Sequence, residues 1–252
     1  MKSYCCVECG CHVDHVYKEY SKGNIRLSIC NKCNQTVDKY VEYENILIFI
    51  DLLLHKPQAY RHVMYNHKPS FTKNHAWKFA FISTLLDMNM KAYLFDQHQL
   101  VYVNKEYYLQ EIPSPLLLSL HLFTLSLIEN ISFYIMMYFL CHYYYPNVNV
   151  NGRNILWNNL FSTVVVSNFG KLFTILSIIW NYHWAIIPVI GGLVYTSNVV
   201  AVRIFLQQTT PNYIHDDWYV HLLVATAVLV GRIGVPILLY LLGNPMLFFT
   251  LI

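Results

Sequence analysis

Apolar and polar positions are distributed very unevenly along this chain. From about residue 116 onward, apolar residues dominate four stretches, near 116–141, 160–181, 184–206 and 221–242. Each is long enough for a helix that crosses a bilayer, which needs about 20 residues. Pro188, Gly191-Gly192 and Pro236 interrupt the later runs, so one of the four also reads as a re-entrant or interfacial segment. Spanning helices nevertheless tolerate Pro and Gly. Before residue 116 the pattern changes. Ile46–Leu54 is apolar apart from Asp51 and stops before Pro57, too short to span; it predicts a helix packed on the N-terminal module or lying at a membrane surface. Residues 75–95 read as another helix. Trp77, Phe81, Leu85, Met88 and Phe95 favour one side, and Lys78, Thr84, Asp87 and Lys91 favour another. That pattern suits an interfacial helix or the surface helix of a small domain. Near the start, Val16–Tyr20 and Ile25–Ile29 suggest two short strands joined by the turn residues Ser21-Lys22-Gly23-Asn24.

Charge sharpens the division. Only 12% of residues are charged, against roughly 25% in a typical soluble domain. After residue 115 the charged residues are Glu129, Arg153, Lys171, Arg203, Asp216, Asp217 and Arg232, too few to solvate a water-soluble domain. The break falls at Ile112-Pro113-Ser114-Pro115, where two prolines interrupt any helix. The expected organisation is a head at 1–66, an amphipathic or interfacial segment at 67–115, and a multi-pass transmembrane region at 116–252. The loop 207–220 lacks Lys and Arg and carries Asp216-Asp217, which places it opposite the Lys/Arg-rich N-terminal part. The positive-inside rule then puts residues 1–115 in the cytosol. A net charge of +3 is too small to argue for a nucleic-acid partner.

Six of the seven cysteines lie in the first 33 residues. Cys6-Val7-Glu8-Cys9, followed by Gly10, and Cys30-Asn31-Lys32-Cys33 form two knuckles. Each Cys-x-x-Cys turn points two thiolates inward, and two such turns can close a tetrahedron around Zn²⁺. The spacing selects Cys6, Cys9, Cys30 and Cys33, with Cys5, Cys11, His12 and His15 as spare donors. Four thiolates leave no position for water or substrate, so the expected Zn²⁺ is a structural staple. No cleavable signal peptide is expected from Met1-Lys2-Ser3-Tyr4, and the thiols are expected to bind metal in a reducing compartment.

Other polar residues are candidates for lipid or partner contact. His55-Lys56-Pro57-Gln58-Ala59-Tyr60-Arg61-His62 follows the short apolar helix, and Lys56, Tyr60 and Arg61 could hold an anionic headgroup. The alternative is a solvated helix end packed on the head. Within the spans, Glu129 and Lys171 need a partner or a polar cavity, because an unpaired charge in the bilayer is costly. With Asn130, Arg203 and Arg232, they either line a polar pocket between spans that accepts a lipid headgroup or sterol hydroxyl, or else Lys171 and the arginines snorkel to the interface and Glu129 pairs with one of them; Arg203, near the end of its run, fits snorkelling well. Asn34 and Asn130 sit in glycosylation patterns, and neither is expected to be modified.

The N-terminal residues together resemble the Arv family of endoplasmic-reticulum membrane proteins. The resemblance runs through both knuckles, Tyr20-Ser21, Gly23–Leu27, Asp38–Tyr43 and Asp51–His62, about the first 65 residues. It implies a non-enzymatic role in sterol homeostasis, with sterol and other lipids distributed from the endoplasmic reticulum to other membranes. It also implies links to sphingolipid balance and to early glycosylphosphatidylinositol synthesis, the latter as an accessory subunit of a membrane enzyme. The expected fold class is a mainly α membrane protein: a small four-cysteine zinc ribbon with a β-hairpin, then interfacial helices, then about four transmembrane helices.

Overall fold

The computed structural model describes residues 4–21, 24–66, 73–102, 114–144, 153–180, 186–209 and 217–241. The head begins with β1 (Tyr4–Cys5) and β2 (His12–Val13), which pair antiparallel with Tyr4 opposite Val13 and clip the base of the first knuckle. β3 (Tyr17–Ser21) and β4 (Asn24–Leu27) form the expected hairpin, also antiparallel. Of its expected turn, Lys22 and Gly23 lie outside the described residues. A bridge between Ile29 and Thr36 clips the second knuckle in the same way.

The two knuckles share one backbone design. The Gly10 N–H donates to the Cys6 carbonyl at 2.8 Å, and the Asn34 N–H donates to the Cys30 carbonyl at 2.9 Å. Both closing residues are left-handed, Gly10 at φ +74° and Asn34 at φ 55°. Glycine enters that region without penalty, and asparagine enters it more readily than most residues.

After a 3₁₀ turn at Lys39–Glu42 come α1 (Asn45–Leu53) and α2 (Pro57–Arg61). Pro57 occupies the first turn of α2, where its missing N–H leaves no helical bond unmade. A π-helical turn, His62–Asn66, continues α2. α1 buries Ile48 and Leu52 and exposes Ile46, Leu47, Phe49 and Ile50, a face suited to a membrane surface.

The remaining helices form a bundle. α3 is Lys73–Tyr102 and α4 is Pro115–Tyr144. α5 (Arg153–Ser167) runs through a 3₁₀ turn at Asn168–Leu172 into α6 (Phe173–Ile179). α7 is Ile186–Thr209. α8 (Asp217–Val228) runs through a π-helical stretch at Leu229–Gly234 into α9 (Val235–Leu241). Four segments among the described residues are long and apolar enough to cross a membrane: Pro115–Tyr143, Asn159–Ser177, Ile186–Gln208 and Trp218–Leu238. They fall on the four expected runs.

α3 departs from its expected orientation. It packs along α4 and α5 with Ser83, Thr84, Asp87 and Lys91 turned inward, while His75, Lys78 and Asn89 stay exposed. Thr84 and Lys91 are buried, while Trp77, Phe79, Phe81 and Ile82 are exposed. A helix in water would do the reverse. Partners inside the bundle accept the α3 charges, so its aromatic face is left for an apolar surrounding.

Candidate metal centre and the buried polar core

The knuckles bring Cys6, Cys9, Cys30 and Cys33 together, with all four sulfurs within 4.8 Å of one another. The Cys6–Cys33 and Cys9–Cys30 separations are each 3.7 Å. Sulfurs held about 2.3 Å from a tetrahedral Zn²⁺ lie about 3.8 Å apart, so this arrangement fits such an ion. The Lys32 N–H points at Cys30 Sγ from 3.4 Å, the kind of donor that stabilises a thiolate. Of the spare donors, Cys5 is buried in β1 away from the group. Its thiol is pushed up to about 12 by burial and stays protonated. Cys11 is beside the cluster, with its sulfur 3.3 Å from Cys9 and 3.2 Å from Cys30. His12 and His15 are exposed.

The first knuckle is docked onto the bundle at Gln207 and Gln208, so the start of the 207–220 loop lies beside the head and not opposite it, as the charge pattern suggests. Arg61, at the end of α2, donates through Nη1 to the carbonyls of Val7 at 2.7 Å and Glu8 at 3.0 Å, and through Nη2 to Gln207 Oε1 at 3.3 Å. Gln208 Nε2 donates to the Gly10 carbonyl at 2.6 Å. A Cβ at position 10 would sit 2.9 Å from that same Gln208 nitrogen and displace the side chain, but it is the φ of +74° that favours glycine here. Lys39 and Gln58 also converge on the Glu8 carboxylate, at 3.0 and 3.2 Å.

A second anchor escaped the sequence reading. Asp38 is fully buried. Its Oδ1 accepts from the Tyr40 N–H at 2.9 Å, and its Oδ2 lies 2.7 Å from His62 Nδ1 and accepts from Asn66 Nδ2 at 2.8 Å. Asn66 in turn makes a two-way clasp with the Cys5 backbone. The π turn after α2 is thereby tied to β1. Asp38 and His62 are both in the motif, but nothing in their spacing of 24 residues announces a contact.

The sequence-selected contact residues all have protein partners. Lys56 pairs with Asp51 at 2.7 Å, and Asp51 also accepts from Tyr40 OH at 2.9 Å. The hydrogen bond from Lys56 holds the Asp51 carboxyl below the usual carboxylate range. Tyr60 is buried, and its hydroxyl meets Ser197 Oγ at 2.8 Å. Glu129 takes Lys91 at 2.6 Å, and Lys91 also donates to Ser126 at 3.0 Å. Lys171 donates to Asp87 at 2.6 Å and to Asn130 Oδ1 at 3.2 Å, while Asn130 Nδ2 donates to Asp87 at 2.8 Å. Asp87 and Lys91, one turn apart on α3, are thus the partners that Lys171 and Glu129 require.

Two Ser-Asn pairs inside the apolar runs extend this network. Ser197 Oγ donates to the Ser167 carbonyl at 2.7 Å, and Ser167 Oγ donates to Asn198 Oδ1 at 2.6 Å. Asn198 Nδ2 donates to Asn168 Oδ1 at 3.0 Å, and Asn168 Nδ2 reaches Tyr134 OH at 3.3 Å. Through Tyr60, a continuous chain of hydrogen bonds runs from the head to α4. The repeated Ser-Asn dipeptide was the available signal, since polar pairs within hydrophobic runs mark helix–helix contacts.

Residues 5–202 match the profile of the Arv1-like family. The chain is 33% identical to Protein arv1 homolog of Dictyostelium discoideum, covering 81% of this chain and 85% of that one. It is 31% identical to Protein ARV 1 of Arabidopsis thaliana, covering 92% and 89%. It is 26% identical to Protein ARV1 of Homo sapiens, covering 81% and 72%. No solved structure matches the chain.

Proposed function

The chain belongs to the Arv1-like family, and on that premise we propose that it is a mediator of sterol homeostasis in the endoplasmic-reticulum membrane. In this reading it is not an enzyme. It takes part in distributing sterol and related lipids to other membranes, with the head on the cytosolic side. Cys6, Cys9, Cys30 and Cys33 hold a structural Zn²⁺ that folds the head. The ion supplies no chemistry beyond cross-linking the knuckles, because four sulfurs complete its coordination.

The observation that carries the reading is the docking of the four-sulfur centre onto the membrane helices. Arg61 and Gln208 hold the first knuckle at the end of α7, and Tyr60 inserts from α2 against Ser197. A head built for catalysis would need an open site. This head instead presents a closed centre, seated on a bundle whose outer faces are apolar. Those faces offer walls for sterol rings, and hydroxyl and amide groups between helices could orient a sterol hydroxyl.

The test is saturable photo-crosslinking of a sterol probe to the purified full-length protein in nanodiscs. Saturation at about one probe per chain is the expected result. Absence of saturable sterol binding, with recovery of one stoichiometric membrane-enzyme partner after gentle solubilisation, would replace this reading with the accessory-subunit role in glycosylphosphatidylinositol synthesis.

A further inference from the structure

Among the described residues, the charges inside the bundle do not balance. Lys91, Lys171 and Arg232 are three cations, facing two carboxylates, Asp87 and Glu129. Each carboxylate is already engaged, Glu129 by Lys91 and Asp87 by Lys171 and Asn130. Arg232 is the cation left over. Among the described residues no carboxylate lies within ion-pair distance of it, although it is near enough to Asp87, Glu129 and Lys171 to feel their charge. A net positive charge among spanning helices is costly and calls for a counter-anion.

The sequence leaves Arg232 either in a polar pocket between spans or snorkelling to the interface. Its guanidinium lies over the Phe133 ring, 5.8 Å from the centroid, and so is turned toward α4. The backbone fixes it there. Arg232 belongs to the π-helical stretch Leu229–Gly234 between α8 and α9, an irregularity frequent at functional sites. At its neighbour Gly231 a Cβ would fall 2.8 Å from Phe133 Cα, so the two backbones touch. Arg232 is only half-buried. Beside it Leu229, Ile233 and Ile237 are exposed at four-residue spacing, forming an apolar stripe down one side of the helix.

We propose that Arg232 receives the headgroup of an anionic, phosphate-bearing lipid at a lateral site in the bundle. A phosphate diester offers two oxygens to the guanidinium fork and supplies the missing negative charge. Lys91 and Lys171 add to the attractive field. The stripe of Leu229, Ile233 and Ile237 gives an acyl chain a surface to lie along, which a protein carboxylate would not use. The site rests on the lipid-handling reading only in requiring that the bundle lie in a membrane.

The test uses full-length protein in detergent, titrated with short-chain phosphatidylinositol, phosphatidylglycerol and phosphatidylcholine and, separately, with inorganic phosphate. Bound lipid is counted by native mass spectrometry. One anionic lipid per chain is expected, at least tenfold tighter than phosphatidylcholine. R232Q should abolish that preference. R232K, which keeps the charge but loses the fork, should weaken it several-fold. K78Q, at an exposed lysine of α3, should leave it unchanged. Equal affinity of the unaltered chain for charged and zwitterionic lipids overturns the proposal, whether or not R232Q folds. So does a preference that survives R232Q. Competition by inorganic phosphate as effective as that by lipid would assign a free-anion site instead. A stoichiometric protein partner lost in R232Q, with no lipid preference, would assign a partner's carboxylate. Sterol crosslinking on the same samples separates the two readings. Its persistence without headgroup preference removes only this site, and its loss with the preference intact removes only the sterol role.

Discussion

Replacing Arg61 by alanine should loosen the metal centre although Arg61 touches no sulfur. The side chain makes two charged hydrogen bonds to the carbonyls of the first knuckle, at 2.7 and 3.0 Å, and a longer one to Gln207 at 3.3 Å. A hydrogen bond to a charged group is worth about 1.5–3 kcal/mol net. The site is half-buried and water can replace part of the loss, so about 2–4 kcal/mol is a reasonable total for the substitution. The carbonyls belong to Val7 and Glu8, between the ligands Cys6 and Cys9, so this energy is spent on the geometry of two of the four sulfurs. Expressed as metal affinity, it corresponds to a weakening of at least about 30-fold. Arg61→Lys should fall between, because a single ammonium cannot reproduce the fork. The assay is competition for Zn²⁺ between purified protein and a chromogenic chelator, with circular dichroism to show that the bundle remains helical. Zinc affinity within threefold of the unaltered chain, in a folded Arg61→Ala variant, would refute the argument. If Arg61 instead served an external headgroup, zinc retention would not change and only lipid binding would.

Further outcomes follow from the same contacts. The double substitution Cys30→Ser/Cys33→Ser should abolish metal binding, measured as about one zinc per chain by elemental mass spectrometry, and unfold the head, read by protease sensitivity. Removing one member of a buried pair, as in Lys171→Met or Asp87→Asn, should destabilise the bundle by about 3–5 kcal/mol, with the double variant recovering much of the loss in a thermal-unfolding cycle. Asp51 is held below its ordinary value of 3.8 by Lys56. A lowered carboxylate contributes stability above that pH and loses it as the pH falls through the folded value. Asp51→Asn should therefore flatten the acid limb of head stability below about pH 4, modestly because Lys56 is half-exposed; an acid limb unchanged in the variant would contradict this. Gly231→Ala should lower the unfolding temperature, since its methyl would meet the Phe133 backbone at 2.8 Å; an unaltered transition would show that the helices separate there at little cost.

The parts of this fold that local chemistry dictates were legible in the sequence. Knuckle spacing selected the four sulfurs that converge, and long apolar runs located the four spans. Turn residues placed the β3–β4 hairpin. What was not legible depended on which distant residues meet. Asp87 and Lys91 read as the polar side of a surface helix because periodicity shows that polar residues share a side but not what that side faces. Lys56, Tyr60 and Arg61 read either as a headgroup cluster or as a helix end packed on the head, because a basic helix end looks the same whether it meets phosphate or backbone carbonyls. Only the fold shows Arg61 pointing at Val7 and Glu8, and Asp38 held between His62 and Asn66.

The seam between head and helices has a practical corollary. Val7, Ile48, Leu52, Ala59 and Tyr60 bury themselves against Ala201 and Ile204 of α7, in one cluster drawn from both halves. A fragment cut after Asn66 would carry a naked oily flank and an orphaned Gly10 carbonyl. It would stick to itself or to detergent, even with its ion in place. The segment that looks most like an independent module on paper is therefore a poor candidate for isolated expression, and experiments on the head should retain α7.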